Sequence, residues 1–197
     1  MKIEVRAAEA RDLKRIKALI DQCISRDFYS IEELEDMLKR KDDLLYVAVD
    51  ADRDGWVVAY FYAFLSSLDE ALRILHVPEK PETLQKYTGS ERVGVYKTSS
   101  TDPEYRNRGV FSAFMVNLQP VLRNKGAKMI VNTALRPLGR EIPILNILRD
   151  TGFTPVVTVP RPWVEKKGYC PYCKQDYCIC DAVLYMKVFA DKGDEEK

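Results

Sequence analysis

The feature that most constrains this chain is the run from Ser99 to Phe114, where one kind of backbone gives way to another. Arg92 to Ser99 reads as a strand of β-branched and small residues. It is followed by the polar stretch Thr101-Asp-Pro-Glu-Tyr-Arg-Asn-Arg-Gly109. Beyond it Phe111, Phe114, Met115, Leu118 and Leu122 recur at helical spacing, with Pro120 as a bend and Gly126 as a stop. A strand that turns through a polar loop into an amphipathic helix aims several backbone N–H groups at one point, with the positive end of the helix dipole behind them. Arg106 and Arg108 add full charge there, and Gly109 allows a close backbone approach. Such a site suits a pyrophosphate. It lacks the glycines of a dinucleotide fingerprint and the Gly-Lys-Ser/Thr of a Walker loop.

The rest of the chain supplies a frame. Glu4 to Arg6 reads as a strand and Ala10 to Ser25 as a helix, with Leu13, Ile16, Leu19, Ile20 and Cys23 on one face. Ser30 and Glu33 form a capping box for a second helix ending near Arg40. Leu44 to Asp50 and Trp56 to Leu65 flank the turn Ala51-Asp-Arg-Asp-Gly55 and read as a hairpin. Residues 66–91 form an insertion with helical patterns at Leu68 to Leu75 and Glu82 to Tyr87, interrupted by Pro78 and Pro81. Strands follow at Lys128 to Thr133, Phe153 to Val159 and Val183 to Phe189. A helix from Pro143 to Asp150 closes at Gly152. An early hairpin followed by strand–helix alternation implies an α/β (α+β) chain, its mixed sheet covered by helices on both faces.

Composition narrows the function. The 197 residues carry 31 basic and 30 acidic side chains, a formal +1, with 46% hydrophobic residues. A nucleic-acid footprint needs clustered positive charge, so nucleic acid is not the expected partner. No apolar run approaches the ~18 residues of a membrane span, and the charged start Met-Lys-Ile-Glu-Val-Arg is no signal region. The expectation is a cytoplasmic protein of one domain, residues 1–190, with a frayed tail at 191–197. A lone His76 makes histidine triads and multi-histidine metal sites poor readings.

Four of the five cysteines crowd into a segment near the end, Cys170, Cys173, Cys178 and Cys180, within a cysteine-rich hairpin at 168–182. Four thiolates at this density favour tetrahedral zinc. The gaps between them also leave an iron–sulfur cluster, redox thiols or unligated cysteines open. With four protein ligands a zinc ion has no free position for water, so its expected role is structural.

The loop and its surroundings resemble the GNAT superfamily of N-acetyltransferases. Its acyl-CoA loop has the form Arg/Gln-x-x-Gly-x-Gly/Ala after a Pro-x-Tyr, and Pro103, Tyr105, Arg106 and Gly109 match in order. Phe111 stands where a small residue is usual. Leu148-Arg-Asp-Thr-Gly152-Phe153 looks like the family's late helix ending in Gly-Phe. The resemblance implies a mostly antiparallel sheet and a thioester held in the splay between two strands. The backbone at Ser99 and Thr101 would pair with pantetheine. The N–H groups of Arg106, Asn107, Arg108, Gly109, Val110, Phe111 and Ser112 would hold the pyrophosphate. It further implies transfer of an acetyl group from acetyl-CoA to an amine, with a homodimer as an open alternative to a monomer. The alternative is a zinc-stabilised acyl-CoA-binding or interaction module without turnover. The family's usual acid, a tyrosine four residues before the Gly of Gly-Phe, is replaced by Leu148. Tyr96, Tyr169, Tyr172 and Tyr177 are substitutes to inspect.

Overall fold

A computed structural model describes residues 2–25, 28–165 and 169–190. Strand β1 (Ile3–Ala7) leads through a 3₁₀ turn at Ala10–Asp12 into helix α1 (Leu13–Cys23), followed by α2 (Ile31–Lys39). The capping box is present: Glu33 N donates to Ser30 Oγ at 3.1 Å, and Ser30 N to the Glu33 carboxylate at 2.7 Å. Strands β2 (Asp43–Asp50) and β3 (Trp56–Ser67) form the hairpin, its turn closed by left-handed Asp54 and Gly55. Helix α3 (Leu68–Ile74) follows directly. The expected second helix of the insertion is only a 3₁₀ turn, Glu82–Leu84, because the stretch between Pro81 and Gly89 is too short for a cooperative α-helix.

Strand β4 (Arg92–Thr101), helix α4 (Val110–Asn124), strand β5 (Met129–Arg136), helix α5 (Leu145–Asp150), strand β6 (Thr154–Val159) and strand β7 (Asp181–Val188) complete the chain. Helix α5 starts two residues beyond Pro143 rather than at it. The charged tail at 191–197 and Gly168 lie outside the described residues.

One seven-stranded sheet, ordered β1-β2-β3-β4-β5-β7-β6, runs through the molecule. Every neighbouring pair is antiparallel except β4 and β5. Helices α1, α2 and α3 cover one face, burying Ile16, Leu19, Leu34, Leu68, Tyr60 and Val95. The other face lies under α4 and α5, where Phe61, Phe114, Leu118, Leu122 and Leu148 pack. Burial on both faces explains why β3 reads as an unbroken apolar run: every residue from Val57 to Leu65 is buried. Helix α4 sits close on β4, where a Cβ on Gly94 would meet Leu122 Cδ1 at 2.8 Å. The 66–91 segment packs as an elaboration of the α1 face, sending Leu68, Leu72, Leu75 and Leu84 into that core. Among the described residues, no helix is long and apolar enough to cross a membrane.

Candidate active site and four-cysteine cluster

The parallel pairing of β4 with β5 covers only Val93 to Tyr96 against Met129 to Asn132. Beyond that point the two strands part. Residues Thr98 to Thr101 pair with β3 alone, and Thr133 to Arg136 with β7 alone. The cause is local. The β3–β4 register jumps from Tyr62↔Thr98 to Ala63↔Tyr96, leaving Lys97 as an extra residue that bends β4 away. Lys97 Nζ anchors the bulge by donating to the carbonyl of Ile74 at the end of α3, 3.0 Å away. A seam thus opens between two strand edges whose backbone groups face each other unpaired by any ladder.

Asn132 Oδ1 is buried beside this seam without a hydrogen-bond partner, while the Thr98 hydroxyl lies against the phenols of Tyr29 and Tyr60. Asn132 Nδ2 closes the last rung by donating to the Tyr96 carbonyl at 3.4 Å. An unpaired buried carbonyl costs about 1–3 kcal/mol, so a ligand that brings an N–H to Asn132 Oδ1, as an amide of pantetheine can, is a chemical fit here. Burial pushes the Tyr29 phenol up to about 12 despite the neighbouring Thr98 hydroxyl. It raises Tyr60 as well. Both phenols therefore stay neutral at physiological pH.

The polar loop continues from β4 into a cradle. Asp102 N donates to the Val58 carbonyl at 2.8 Å, extending the β3 contact by one residue. The Asp102 carboxylate caps the 3₁₀ turn Pro103–Tyr105 by accepting from Glu104 N at 3.0 Å, and it ion-pairs with Arg15 of α1. Tyr105 is buried beneath the loop; its hydroxyl donates to Asp50 at 2.9 Å and accepts from Arg53 at 2.9 Å. Asn107 and Gly109 both adopt left-handed backbone, with φ of 59° and 76°. At Gly109, the N-cap of α4, no side chain caps the helix, and a Cβ would meet nothing within 4 Å. The first-turn N–H groups of Val110, Phe111 and Ser112 thus have no side-chain cap at the positive end of a long helix.

The structure brings the expected residues together at one end of the sheet, with Ser99 and Thr101 on the unpaired half of β4 and residues 106–112 at the start of α4. Two details differ from a simple reading of the loop. The Arg106 guanidinium folds back: its Nε donates to the Thr101 carbonyl at 3.3 Å and its Nη2 reaches Cys23 Sγ at 3.5 Å. Its backbone N–H is engaged by the Pro103 carbonyl at 3.4 Å. Arg106 thus braces the loop against β4 and α1. Phe111 turns its ring toward the sheet, 5.7 Å from Phe61, and so leaves the space before the helix end clear.

Among the tyrosines, Tyr96 is buried under α4 with its hydroxyl donating to the Met115 carbonyl at 3.2 Å, and burial raises its pKa. Tyr169, Tyr172 and Tyr177 are exposed on the cysteine segment. Leu148 is fully buried in the α5 core. His76 sits half-buried in the turn after α3 with φ of 59°. Thr98, Asn132 and Tyr60 were not singled out from sequence. The only hint was the polar run Thr98-Ser99-Ser100-Thr101 inside a strand. A cleft of about 410 Å³ at residues 136–141 and Asp181, beyond the end of β5, was likewise not foreseen.

The second cluster lies between β6 and β7. The Sγ atoms of Cys170, Cys173, Cys178 and Cys180 all lie within 4.8 Å of one another. Cys170, Cys178 and Cys180 are buried, packed against Leu135 of β5 and Trp163. Asp181, next in the chain, is held to β5 by Arg136 at 2.9 Å and accepts from Arg161 N at 3.3 Å.

A seven-stranded mixed sheet that splays between β4 and β5 over a helix-terminus cradle is the fold of the GNAT N-acetyltransferases. Solved structures with this fold match nearly the whole chain. NAA60 of Arabidopsis thaliana in complex with acetyl-CoA superposes with a TM-score of 0.71 at 14% identity, over 95% of this chain and 99% of that one. The NatC complex bound to Gag peptide and CoA gives 0.67 at 15% identity, over 96% and 100%. Ribosomal-protein-alanine N-acetyltransferase from Brucella melitensis gives 0.62 at 14% identity, over 94% and 99%. No family model matches the sequence, and no curated relative matches it.

Proposed function

We propose that the protein is an N-acetyltransferase that uses acetyl-CoA as co-substrate and an amine as acceptor. The observation that carries this reading is the join of two features: a seam between two strand edges that no ladder pairs, and an uncapped helix N-terminus at its mouth. The pyrophosphate would lie on the N–H groups of Val110, Phe111 and Ser112, with Gly109 giving it room. The pantetheine would add to the free edge of β4 at Ser99 and Thr101, placing the thioester where the strands part. Solved proteins of this fold carry acetyl-CoA or CoA.

In the transfer, the neutral amine nitrogen attacks the thioester carbonyl carbon. The C–N bond forms and the C–S bond breaks. The nitrogen loses a proton, and the departing thiolate ends as the CoA thiol. The chain's part is positioning: holding both ends of the thioester fixed against the acceptor turns a bimolecular encounter into a local one. No strong acid is required, because a thiolate leaves readily. Zinc, the metal proposed for the four-cysteine cluster, stands outside this step, since four protein ligands leave no coordination position for water or substrate. A cytoplasmic setting suits both sites, supplying acetyl-CoA and keeping thiols reduced. A second reading, acyl-CoA binding without turnover, is favoured by one observation. Leu148 stands where the resemblance would place a tyrosine acid, and the Tyr96 hydroxyl is already engaged by the Met115 carbonyl.

The test is calorimetric titration of acetyl-CoA into the reduced full chain, followed by release of the CoA thiol with spermidine, a lysine peptide and a peptide with a free N-terminus. Saturable micromolar binding with amine-dependent thiol release is expected. Binding without release on any of the three amines would favour the second reading, and no binding at millimolar acetyl-CoA would overturn both.

A further inference from the structure

The cysteine segment poses a question of stability that the acetyl-transfer chemistry leaves untouched. Around its buried sulfurs the chain is open to solvent: Pro171, Tyr172, Lys174, Gln175, Asp176 and Tyr177 are all exposed. Its apolar support is Leu135 and Trp163. Fixing backbone costs roughly 1–2 kcal/mol per residue, and so small an apolar cluster does not offset that over the whole segment. A four-thiolate zinc centre contributes on the order of 10 kcal/mol or more. That is the right size.

The geometry is that of one ion. Four sulfurs about 2.3 Å from a tetrahedral zinc sit about 3.8 Å from one another. Here all four lie within 4.8 Å, with Cys178 and Cys170 at 3.6 Å. A four-iron cube would hold its cysteines farther apart, around a core as wide as the cage itself. The turn that sets the first pair is specific. Lys174 N donates to the Cys170 carbonyl at 2.8 Å, Cys170 N to the Gln175 carbonyl at 2.9 Å, and Lys174 takes φ of 56° to double the chain back. The backbone N–H groups of Ile179 and Gln175 are directed at Cys173 Sγ, and that of Cys180 at Cys178 Sγ. Donors aimed at sulfur are the outer partners that metal-bound thiolates require.

We infer that Cys170, Cys173, Cys178 and Cys180 bind a single zinc ion as thiolates, and that this ion fastens the β6–β7 connection to the end of β5. The mechanical link is Trp163. Its side chain packs against both the sulfur cluster and the core beneath α1. Cys180 is bound to the sheet through its neighbour Asp181 and the Asp181–Arg136 pair. The inference does not depend on acetyl-CoA, and its test is read without it.

The full chain carries two tryptophans, so Trp56→Phe leaves Trp163 as the sole reporter. Protein purified with reductant and without chelator should contain one zinc per chain by elemental analysis. Stripping the metal should lower the melting temperature and shift Trp163 emission to the red. Cobalt reconstitution should give the intense visible bands of a tetrahedral thiolate site. Cys173→Ser should lose most of the zinc and melt earlier. Iron as the principal metal, two disulfides in freshly reduced protein, or metal-free protein with wild-type melting would each overturn the inference. Because metal content is measured on the unmutated chain as well, misfolding of the serine variant cannot decide the outcome.

Discussion

Gly109 offers a way to separate backbone strain from ligand contact in one experiment. Its φ of 76° lies where an L-residue is strained, and a Cβ there meets nothing within 4 Å. Gly109→Ala and Gly109→Trp therefore share one stability cost, about 1–2 kcal/mol for a side chain in left-handed backbone. For a chain of this size that is a fall in melting temperature of roughly 2–8 °C. They differ in the space they occupy. The methyl group adds little, whereas the indole stands in front of the Val110, Phe111 and Ser112 N–H groups. A hydrogen bond to a charged acceptor is worth about 1.5–3 kcal/mol, so losing two removes about 3–6 kcal/mol. That weakens acetyl-CoA binding at least ~100-fold, at about 1.4 kcal/mol per tenfold. Scanning calorimetry on the two variants, paired with acetyl-CoA titration, reads both quantities. The expected pattern is equal melting temperatures, near-normal binding for alanine and lost binding for tryptophan. Wild-type affinity in Gly109→Trp would refute the placement of the phosphates at this helix end.

Two further outcomes follow from buried polar groups. Asp12 is buried and accepts from Arg6 at 2.7 and 2.9 Å and from Glu9 N at 2.8 Å. Burial alone would raise its carboxyl, but the Arg6 guanidinium and the Glu9 N–H outweigh it and hold the pKa below the ordinary value. A lowered folded pKa means its stabilisation is fully present above the ordinary carboxylate range and is lost as pH falls through the folded value. Asp12→Asn should thus cost about 1–2 kcal/mol at neutral pH, discounted for the partly exposed Arg6. Urea titrations of mutant and wild type should converge in acid; a gap that persisted there would refute the ionic account. Thr98→Val removes the hydroxyl that lies against the Tyr29 and Tyr60 phenols. The ligand-free protein should lose about 1 kcal/mol and melt a few degrees earlier. An unchanged melting temperature would refute a hydrogen bond at that hydroxyl.

Local signals in the sequence located most elements because they depend on few neighbours. The Ser30–Glu33 box starts α2, the Asp54-Gly55 turn closes the first hairpin, and Gly126 stops α4. The cradle loop was legible for the same reason, its strand, turn and helix being contiguous. The seam was not. It depends on the Lys97 bulge, and that bulge exists only because β4 pairs with Tyr62 and Ala63, more than thirty residues earlier. Two-sided burial likewise hid the alternation of β3. The fold-back of Arg106 depends on where Cys23 comes to rest at the end of α1. The 3₁₀ turn at Glu82–Leu84 looked helical because its residues favour helix, yet the stretch between Pro81 and Gly89 is too short to propagate one.

The brace beneath the cradle also sets what must happen before the site can exist. Tyr105 reaches back 55 residues to Asp50, and Arg53 reaches forward 52 to Tyr105. Arg15 spans 87 residues to Asp102. The residues that would touch phosphate form one short stretch, but a peptide spanning them would have neither its left-handed turns fixed nor its helix end oriented. Loop closures of that length come late in folding. A nascent or truncated chain missing its first hairpin would therefore carry the whole motif and recognise nothing.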